Sequence, residues 1–360
     1  MNIEMLAKQW AGLYRNCGYC HYAMSKFEEY ELYLRNKDFL ISDRVLTFTD
    51  TDGKLMALKP DVTLSIIKNT VDCIGGVQKV YYQENIYRPG KSDQGFREIM
   101  QVGLECMGNV DSYCVFEVLL LAVKCLRAIS ERCILDISHM GLLAQLLDKC
   151  GLTGSARQEV LEAIGSKNAH EIRMICESVG APWQELAQIA SLSGSCDQVM
   201  PVLEQMFGST VELVQLQQLL RSLEQAGADC VNVDFSVIND MNYYNGIVFR
   251  GFVEGVPSGI LSGGQYDGLM EKMKRRDKAI GFALYPDLLE RLYPGEESVD
   301  VDAVLLYGKD ADIARVAAAV QELAKQGISV SAQPGVPQTL RYRKLYQLEG
   351  NEVKRIEDNA

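Results

Sequence analysis

A stretch of alternating polar and apolar residues suits a small-molecule binding site. It runs from Arg97 to Met107 and reads REIMQVGLECM. On a β-strand Gln101, Gly103 and Glu105 share one face, because successive side chains point to opposite faces. The other face is apolar. The pattern alone allows two interpretations: a half-buried strand with its polar face in water, or the floor of a polar pocket.

A second polar cluster lies far along the chain. It consists of residues 242–245 (NYYN) and 263–268 (GGQYDG). The three histidines, His21, His139 and His170, lie in no recognised nucleophile context, which argues against a hydrolase triad. No G-x-G-x-x-G motif follows a strand, so a dinucleotide-binding fold has no support. The two clusters therefore favour binding over these forms of catalysis.

Three short motifs match known sites only in part. Residues 17–21 (CGYCH) have the spacing of a c-type haem attachment site without an export signal, and as a zinc site they supply three ligands where structural zinc takes four. Residues 89–92 (PGKS) end like a phosphate-binding loop, but Asn85 stands where that loop needs a glycine. Residues 50–53 (DTDG) form a hairpin turn rather than a calcium loop. We predict no metal and no cofactor.

Composition limits the class of protein. The 360 residues are 48% hydrophobic, which allows a large core and two or three domains. A formal net charge of −12 argues against a broad nucleic-acid surface. No apolar run approaches the roughly 20 residues of a membrane helix, and the N-terminus reads as an amphipathic helix rather than a signal peptide. Eleven cysteines without paired spacing are typical of reduced thiols. We expect a cytoplasmic protein without nucleic-acid or membrane contact.

The hydrophobic periodicity predicts an α+β protein with a helical insertion. The expected strands are 45–49, 54–58, 77–87, 96–107, 134–137, 231–237, 246–253, 258–262 and 281–284. The expected helices outside the insertion are 1–17, 61–69, 112–132, 140–150 and 285–292. Residues 150–228 are almost entirely helical and interrupt the strands as an insertion would. After a polar linker, residues 299–360 form a small α/β unit that ends in a hairpin and is shorter than a usual domain of about 100 residues.

Six segments in this order resemble the core of histidyl-tRNA synthetase, a class II synthetase: residues 58–63, 85–88, 96–108, 241–249, 263–269 and 279–284. The resemblance covers about residues 1–292, and its specificity comes from the order of the segments. It implies a class II aminoacyl-tRNA-synthetase-like antiparallel sheet flanked by helices, within a core domain over 1–295. The unit at 299–360 would then be a truncated anticodon-binding-like domain.

The resemblance also implies a histidine-like ligand pocket. Arg88 matches the family's arginine for the ATP α-phosphate and the amino-acid carboxylate, whereas Gln101 and Glu105 match the pair that holds histidine. Asp61 stands where an acidic residue binds the amino group. Tyr244 and Tyr266 match tyrosines that line the imidazole pocket. The expected pocket comprises Asp61, Thr63, Arg88, Gln101, Glu105, Tyr243, Tyr244 and Tyr266.

Residues that the synthetase family uses for catalysis are replaced. Gly90 stands in place of the glutamate that reads adenine, and Asn239 in place of an arginine that stabilises charge during activation. Asn242 replaces the aspartate that follows. Leu288 falls at the ATP-binding arginine of motif 3, and Arg291 lies three residues away. During amino-acid activation a pentavalent phosphate develops negative charge. Loss of positive charge at that place removes the main electrostatic stabilisation of the transition state. We expect no aminoacylation and no catalytic residues.

One family keeps this core while lacking these residues: the regulatory subunits of ATP phosphoribosyltransferase. The chain resembles them most closely over residues 85–88, 243–249 and 262–268. Membership implies a non-catalytic subunit that activates a short catalytic subunit in the first step of histidine biosynthesis and transmits feedback inhibition by histidine. It also implies a hetero-octamer with that subunit. A homodimer through the class II core is expected, although its first motif, residues 20–29, is poorly matched.

The sequence allows alternatives for the ligand of the pocket and for the functional class of the protein. Asn239, Asn242 and Gln265 replace charged residues that regulatory subunits commonly keep. Each lost charge-assisted bond costs about 1.5–3 kcal/mol, so we expect at most weak histidine binding to the isolated chain. The chain could instead be a divergent histidine–tRNA ligase, which would catalyse histidine-dependent ATP–pyrophosphate exchange. It could also be a histidine-sensing accessory protein of another enzyme.

Overall fold

The structure is a computed structural model that describes residues 3–40, 44–73, 75–90, 95–238, 244–289, 299–350 and 352–358. The chain divides into two compact units, residues 1–292 and 293–360. The identification of the second unit with a truncated anticodon-binding-like domain stays a prediction.

The strands of the described residues are, in chain order, β1 (Cys20–His21), β2 (Phe27–Glu29), β3 (Thr47–Thr49), β4 (Leu55–Leu58), β5 (Val77–Pro89), β6 (Phe96–Gly108), β7 (Cys133–His139), β8 (Ser193–Gly194), β9 (Val231–Asp234), β10 (Ile247–Val253), β11 (Leu261–Gln265), β12 (Lys278–Leu284), β13 (Val301–Leu306), β14 (Val330–Gln333), β15 (Tyr342–Glu349) and β16 (Glu352–Asp358).

The α-helices are α1 (Ile3–Asn16), α2 (Tyr30–Arg35), α3 (Thr63–Asn69), α4 (Ser112–Arg127), α5 (Met140–Lys149), α6 (Gly154–Gly165), α7 (Ala169–Val179), α8 (Gln184–Ser191), α9 (Cys196–Phe207), α10 (Val211–Gln225), α11 (Asp267–Lys272) and α12 (Ile313–Lys325). Short 3₁₀ helices cover Lys37–Phe39 and Pro286–Leu289.

The larger unit is built on one sheet of nine strands in the order β1-β5-β6-β12-β11-β10-β7-β9-β8. Its central pairs are antiparallel, whereas β1 pairs with β5, and β7 with β9, in parallel. A small sheet, β2-β4-β3, lies in the same unit, and the second unit has the sheet β14-β13-β15-β16. The predicted α+β class is therefore confirmed.

The two faces of the large sheet differ in what covers them. We call the face that carries Gln101 and Glu105 the front face, and the opposite face the back face. Helix α4 packs on the back face, where the Leu126 side chain lies over Gly251. Helix α1 packs on α4, and the Trp10 indole donates a hydrogen bond to the Cys125 carbonyl oxygen at 3.1 Å. Helix α4, with α1 packed on it, thus covers the back face. The front face carries the polar residues.

Most predicted elements are confirmed. The hairpin around the turn at residues 50–53 is present, since β3 pairs with β4 in antiparallel register. The strands predicted at 77–87 and 96–107 form a second hairpin, since β5 pairs with β6 in antiparallel register. Helices α6 to α10 occupy residues 154–225 with short strand β8 among them. In the second unit, β13, α12, β14 and the closing hairpin β15–β16 are observed.

The predicted bounds of the strand at 258–262 are wrong. The observed strand β11 lies at Leu261–Gln265 and includes two adjacent glycines. A side chain at Gly263 would meet the Gly281 carbonyl oxygen at 2.3 Å, and one at Gly264 would meet the Tyr244 ring at 2.5 Å. The glycines therefore mark close approach of neighbouring groups to a strand, beyond residue 262, where the sequence predicted that the strand ends.

Other boundaries are also corrected. Helix α4 ends at Arg127, five residues before the predicted end, since a turn over residues 128–132 is needed before β7 begins at Cys133. The helix predicted after residue 284 is a 3₁₀ turn within the described residues. Helices α2 and α11, each of 6 residues, are too short for periodicity to reveal. Across the described ranges, no helix is long and apolar enough to span a membrane.

Arg275 fixes the C-terminal end of α3, the helix whose first residue is Thr63. Its Nη1 atom donates to the carbonyl oxygens of Ile67 and Thr70, both at 2.9 Å. Its Nε atom donates to Asp72, and Nη2 lies 3.4 Å from Asp277. The side chain is 11% exposed. The guanidinium thus satisfies carbonyl groups that the helix end leaves without intrahelical partners.

We predict that Arg275→Met destabilises the folded chain by about 2–4 kcal/mol, because the substitution leaves buried carbonyl oxygens and a carboxylate unpaired. Urea denaturation followed by tryptophan fluorescence measures the change. Arg35→Met is the matched control, since Arg35 is 74% exposed and pairs with Glu31 on the surface of α2, and it should cost less than about 0.5 kcal/mol. Equal effects of the two substitutions would contradict this role of Arg275.

Candidate functional site

A pocket of about 200 Å³ opens on the front face of the large sheet. Seven of the eight residues predicted for the ligand site line it. Its lining comprises Phe39, Leu40, Asp61, Thr63, Tyr82, Arg88, Gln101, Glu105, Tyr244, Ser262, Tyr266, Gly281, Phe282, Ala283 and Tyr285. The structure therefore brings together residues that lie more than 200 positions apart in the sequence.

The hairpin β5–β6 supplies the floor of the pocket. Its register places Tyr82 opposite Gly103, and Val80 opposite Glu105. Alternation along β6 then puts Gln101 and Glu105 on the front face. They are only 4% and 2% exposed. The interpretation of this strand as half-buried with a wet face is therefore wrong, because its polar side chains lie inside the protein.

Glycines on neighbouring strands make room for these side chains. Gly281 of β12 stands opposite Glu105 in the sheet. A side-chain carbon at Gly281 would lie 1.7 Å from the Glu105 Oε2 atom, and one at Gly103 would lie 2.5 Å from the Tyr82 hydroxyl. Both distances are far below van der Waals contact, so the front face needs glycine at these positions to hold Glu105 and Tyr82 flat against the sheet.

Glu105 is the most deeply buried acid of the pocket. Its Oε1 atom accepts a hydrogen bond from the Thr63 hydroxyl at 2.9 Å, and Oε2 accepts one from the Tyr266 hydroxyl at 2.7 Å. Burial raises the pKa of Glu105 to about 8, and the two hydrogen bonds oppose that rise in part. Nearby Asp61 raises it further. This carboxyl group therefore changes its charge near neutral pH.

Asp61 and Arg88 form a second polar pair at the rim. The Asp61 Oδ1 atom accepts a hydrogen bond from the Leu64 backbone N–H at 2.9 Å, at the start of α3. The Arg88 Nη2 atom lies 3.7 Å from Asp61 Oδ2, and its Nε atom donates to the Pro60 carbonyl oxygen at 2.8 Å. Burial raises the pKa of Asp61, and the Arg88 charge opposes the rise. Arg88 is thereby held in place with part of its guanidinium facing the pocket.

The Gln101 side chain lines the pocket while 96% of its surface is covered. Within the described part of the chain its amide group has no hydrogen-bond partner. The amide is not one of the fully buried groups that lack a partner, so it is open to a ligand or to water in the pocket. Gln101 is therefore arranged to bind a polar group that enters the pocket.

Several positions singled out from the sequence are not among the described lining residues. Tyr243, Asn239, Asn242 and Arg291 lie outside the described residues. The Gln265 Oε1 atom accepts a hydrogen bond from the Ile247 backbone N–H at 2.9 Å, so this amide supports strand β10. Leu288 lies in the 3₁₀ turn and is 38% exposed. The ligand-binding role of all eight site residues stays a prediction.

Several lining residues were not predicted from the sequence, most importantly Tyr82, Ser262 and Tyr285. Tyr82 could have been found by pairing the two strands of the β5–β6 hairpin, because it stands opposite Gly103. Ser262 lies on a strand whose predicted bounds were wrong, and Tyr285 directly follows β12, where a helix was predicted. The Ser262 and Tyr285 hydroxyl oxygens lie 3.5 Å apart, and they extend the polar side of the pocket.

The lining indicates what the pocket can do chemically. Two carboxyl groups and an amide suit a ligand with N–H donors, and one guanidinium suits a carboxylate. Four tyrosines, Tyr82, Tyr244, Tyr266 and Tyr285, provide ring surface with hydroxyl groups at the edge. No histidine or cysteine is among the described lining residues. No group of three or more His, Cys, Asp or Glu side chains in the described ranges could hold a metal ion.

Comparison with known families agrees with the geometry of the sheet and pocket. The profile of the histidyl-tRNA synthetase family matches residues 1–289. An ATP phosphoribosyltransferase regulatory subunit from Oceanobacillus iheyensis is 28% identical over 312 residues, which cover 83% of this chain and 76% of the relative. A regulatory subunit of the same name from a Synechococcus species is 30% identical over 306 residues, covering 81% and 72%.

Solved structures share the fold. The crystal structure of an ATP phosphoribosyltransferase regulatory subunit/histidyl-tRNA synthetase from Bacillus halodurans has a TM-score of 0.77 at 23% identity, covering 94% of this chain and 90% of that one. A chain of the ATP phosphoribosyl transferase (HisG:HisZ) complex from Thermotoga maritima has a TM-score of 0.63 at 19% identity, covering 79% and 97%. The expected class II synthetase-like core is confirmed, and the chain belongs to the histidyl-tRNA synthetase family, within it to the ATP phosphoribosyltransferase regulatory subunits.

Proposed function

We propose that this chain is a non-catalytic subunit that activates a catalytic ATP phosphoribosyltransferase subunit and conveys feedback inhibition by histidine. The observation that carries the proposal is a fully formed, amino-acid-sized pocket on a synthetase-like core that lacks the synthetase's catalytic residues. Such a core can bind a ligand without transforming it. Regulation requires this separation, because a sensor has to release its ligand unchanged.

The proposed loss of aminoacylation follows from missing positive charge. Amino-acid activation develops negative charge on a pentavalent phosphate, and fixed cations usually stabilise it. Asn239 and Leu288 stand where the synthetases have arginines, and Gly90 replaces the glutamate that reads adenine. Arg88 is the one cationic side chain that lines the described pocket. One guanidinium already engaged with Asp61 and Pro60 supplies little of the required charge.

Histidine fits the pocket in one orientation. The imidazole N–H would donate to Glu105 between the Tyr244 and Tyr266 rings, the ammonium group would lie near Asp61 and the Gln101 amide oxygen, and the carboxylate would lie near Arg88. Each ligand group then meets a group of complementary charge or polarity. The Asn239, Asn242 and Gln265 substitutions weaken this binding in the isolated chain, and assembly with the partner would strengthen it.

The partner proposed is a short catalytic phosphoribosyltransferase subunit in a hetero-octamer. The Thermotoga maritima complex, which contains a chain of the same fold, supports such a partner. Histidine feedback then requires two states of the complex that bind histidine with different affinity. All eleven cysteines are free thiols, which supports the proposed location in the cytoplasm.

Mixing the two subunits tests the function. We expect phosphoribosyl-ATP formation to rise when this chain is titrated into its cognate catalytic subunit, and histidine to lower the rate of the mixture but not the rate of the catalytic subunit alone. The purified chain should show only background histidine-dependent ATP–pyrophosphate exchange. No gain of activity on mixing would contradict the proposal, and exchange above background would favour the divergent histidine–tRNA ligase.

Glu105 gives the unliganded chain a defined pH dependence. Its ordinary pKa is 4.5 and its folded pKa is about 8. Between these values the folded chain holds a proton that the unfolded chain releases, so stability falls as the pH rises from about 4.5 to 8. Glu105→Gln should melt close to wild type at pH 5 and about 3–8 °C higher at pH 9, because the amide mimics the protonated acid.

Thermal melts of the wild type and of Glu105→Gln at pH 5, 7 and 9 measure this effect. Glu98→Gln is the matched control on the same strand, since hydrogen bonds from Asn85 and Tyr87 lower the pKa of Glu98. This control should gain no stability at pH 9. A Glu105→Gln melting difference that is the same at pH 5 and pH 9 would contradict the buried, titrating carboxyl group.

Glu105→Gln and Glu98→Gln also distinguish a ligand-binding role of Glu105 from a purely structural one. In the assembled complex Glu105→Gln should weaken histidine binding about tenfold or more, measured by calorimetry, whereas Glu98→Gln should not change it. At pH 7 histidine binding to the wild type should release a proton, because it draws Glu105 to its ionised form. Unchanged affinity in Glu105→Gln would contradict the histidine site and leave the subunit role intact.

The proposed homodimer has an apolar surface available to it. Phe27 and Phe48 lie on one face of the small sheet with their ring centres 5.5 Å apart, and they are 46% and 37% exposed. Phe27 belongs to the segment that matches the dimer-forming first motif. Phe27→Asp should convert a dimer to a monomer in light scattering. Met174→Asp, at a residue 55% exposed on α7, is the control that should stay dimeric. A dimeric Phe27→Asp variant would contradict this surface.

A further inference from the structure

Two cysteines from distant parts of the sequence meet at one edge of the large sheet. The Sγ atoms of Cys133 and Cys230 are 3.5 Å apart, although the residues are separated by 97 positions. Cys133 begins β7, and Cys230 directly precedes β9, which pairs with β7 in parallel. The Leu135 N–H donates to the Cys230 carbonyl oxygen at 2.9 Å. The backbone ladder therefore holds the two thiols beside each other.

The surroundings of the pair favour oxidation of one thiol. Cys133 is 7% exposed and Cys230 is half-buried. The Cys133 thiol donates its hydrogen to the Cys230 sulfur. This hydrogen bond, together with the nearby Arg127 guanidinium, lowers the pKa of Cys230 to about 7. Cys230 is thus the more exposed residue of the pair and the one whose thiol ionises first, which are the properties of an attacking thiolate.

We propose that Cys133 and Cys230 form a reversible oxidation site that closes to a disulfide in the presence of a peroxide. The Cys230 thiolate attacks one oxygen of hydrogen peroxide and the O–O bond breaks, which gives a sulfenic acid and a hydroxide ion. This hydroxide takes up the proton that the Cys230 thiol released and becomes the first molecule of water. The Cys133 sulfur then attacks the Cys230 sulfur, the S–O bond breaks, and the departing hydroxide takes the Cys133 proton as water. Two thiols are oxidised, and one peroxide is reduced to two molecules of water.

Closure would tie together the two ends of the helical insertion. Helices α6 to α10 leave the sheet after β7 and α5, and return to it at Cys230 and β9. A disulfide between these positions closes a loop that contains the entire insertion. Cross-links across long loops restrict the unfolded chain most. Oxidation should therefore stabilise the folded chain without any change in the ligand pocket's own residues.

Peptide mapping by mass spectrometry tests the site. After treatment of the full chain with one equivalent of hydrogen peroxide, we expect a mass loss of about 2 Da, a linked peptide pair containing Cys133 and Cys230, and reversal by dithiothreitol. The melting temperature should rise by about 5 °C. Cys133→Ser should instead accumulate a sulfenic acid at Cys230, detected with dimedone.

The matched control is Cys114→Ser, because Cys114 is 6% exposed and has its own thiol neighbour, Cys106. This variant should form the same disulfide as the wild type. The double variant Cys133→Ser/Cys230→Ser should lose no mass. A disulfide that maps to another pair, or peroxide treatment that leaves Cys133 and Cys230 reduced while exposed Cys20 is oxidised, would overturn the proposal.

Discussion

Glu105 carries a carboxyl group into the interior of a nine-stranded sheet, where its two oxygens accept hydrogen bonds from Thr63 and Tyr266. Burying an acid is costly unless its partners are fixed. Thr63 begins helix α3 and Tyr266 directly follows strand β11, so Glu105 on β6 and its two partners come from three separate parts of the chain. Arg275 holds the other end of α3, and Gly281 leaves the space above β12. The burial of one acid thus constrains four parts of the front face.

The same constraint explains the glycines that cross the sheet. Gly103, Gly264 and Gly281 lie on adjacent strands, and each faces a side chain that covers its Cα atom. Tyr82, Tyr244 and Glu105 occupy that space and lie along the sheet instead of pointing away from it. The result is a cavity lined by both polar groups and aromatic rings. A cavity of this kind selects small ligands by the placement of few groups.

Retention of a pocket and loss of catalysis are separable in physical terms. Binding needs complementary hydrogen bonds at the ligand's ends, which Asp61, Arg88, Gln101 and Glu105 can supply. Activation of an amino acid also needs fixed positive charge around a phosphate during reaction. Asn239 and Leu288, which stand where the synthetases have arginines, would remove charge that the second requirement needs. The proposed sensing role rests on this division.

The sequence by itself determined the α+β class, both hairpins, the five helices of the insertion and the alternation that sets Gln101 and Glu105 on one face. These features depend on local periodicity and turn residues, which are readable without distant contacts. The assignment of Arg88, Asp61 and Tyr244 to one pocket came from resemblance to a family. Only the tertiary structure decided that the polar face of β6 is buried, that Gly263 and Gly264 belong to a strand, and that Tyr82 and Tyr285 line the pocket. The reason is that burial and strand position there depend on groups from other strands and helices, and no local pattern encodes which of them will cover a given residue.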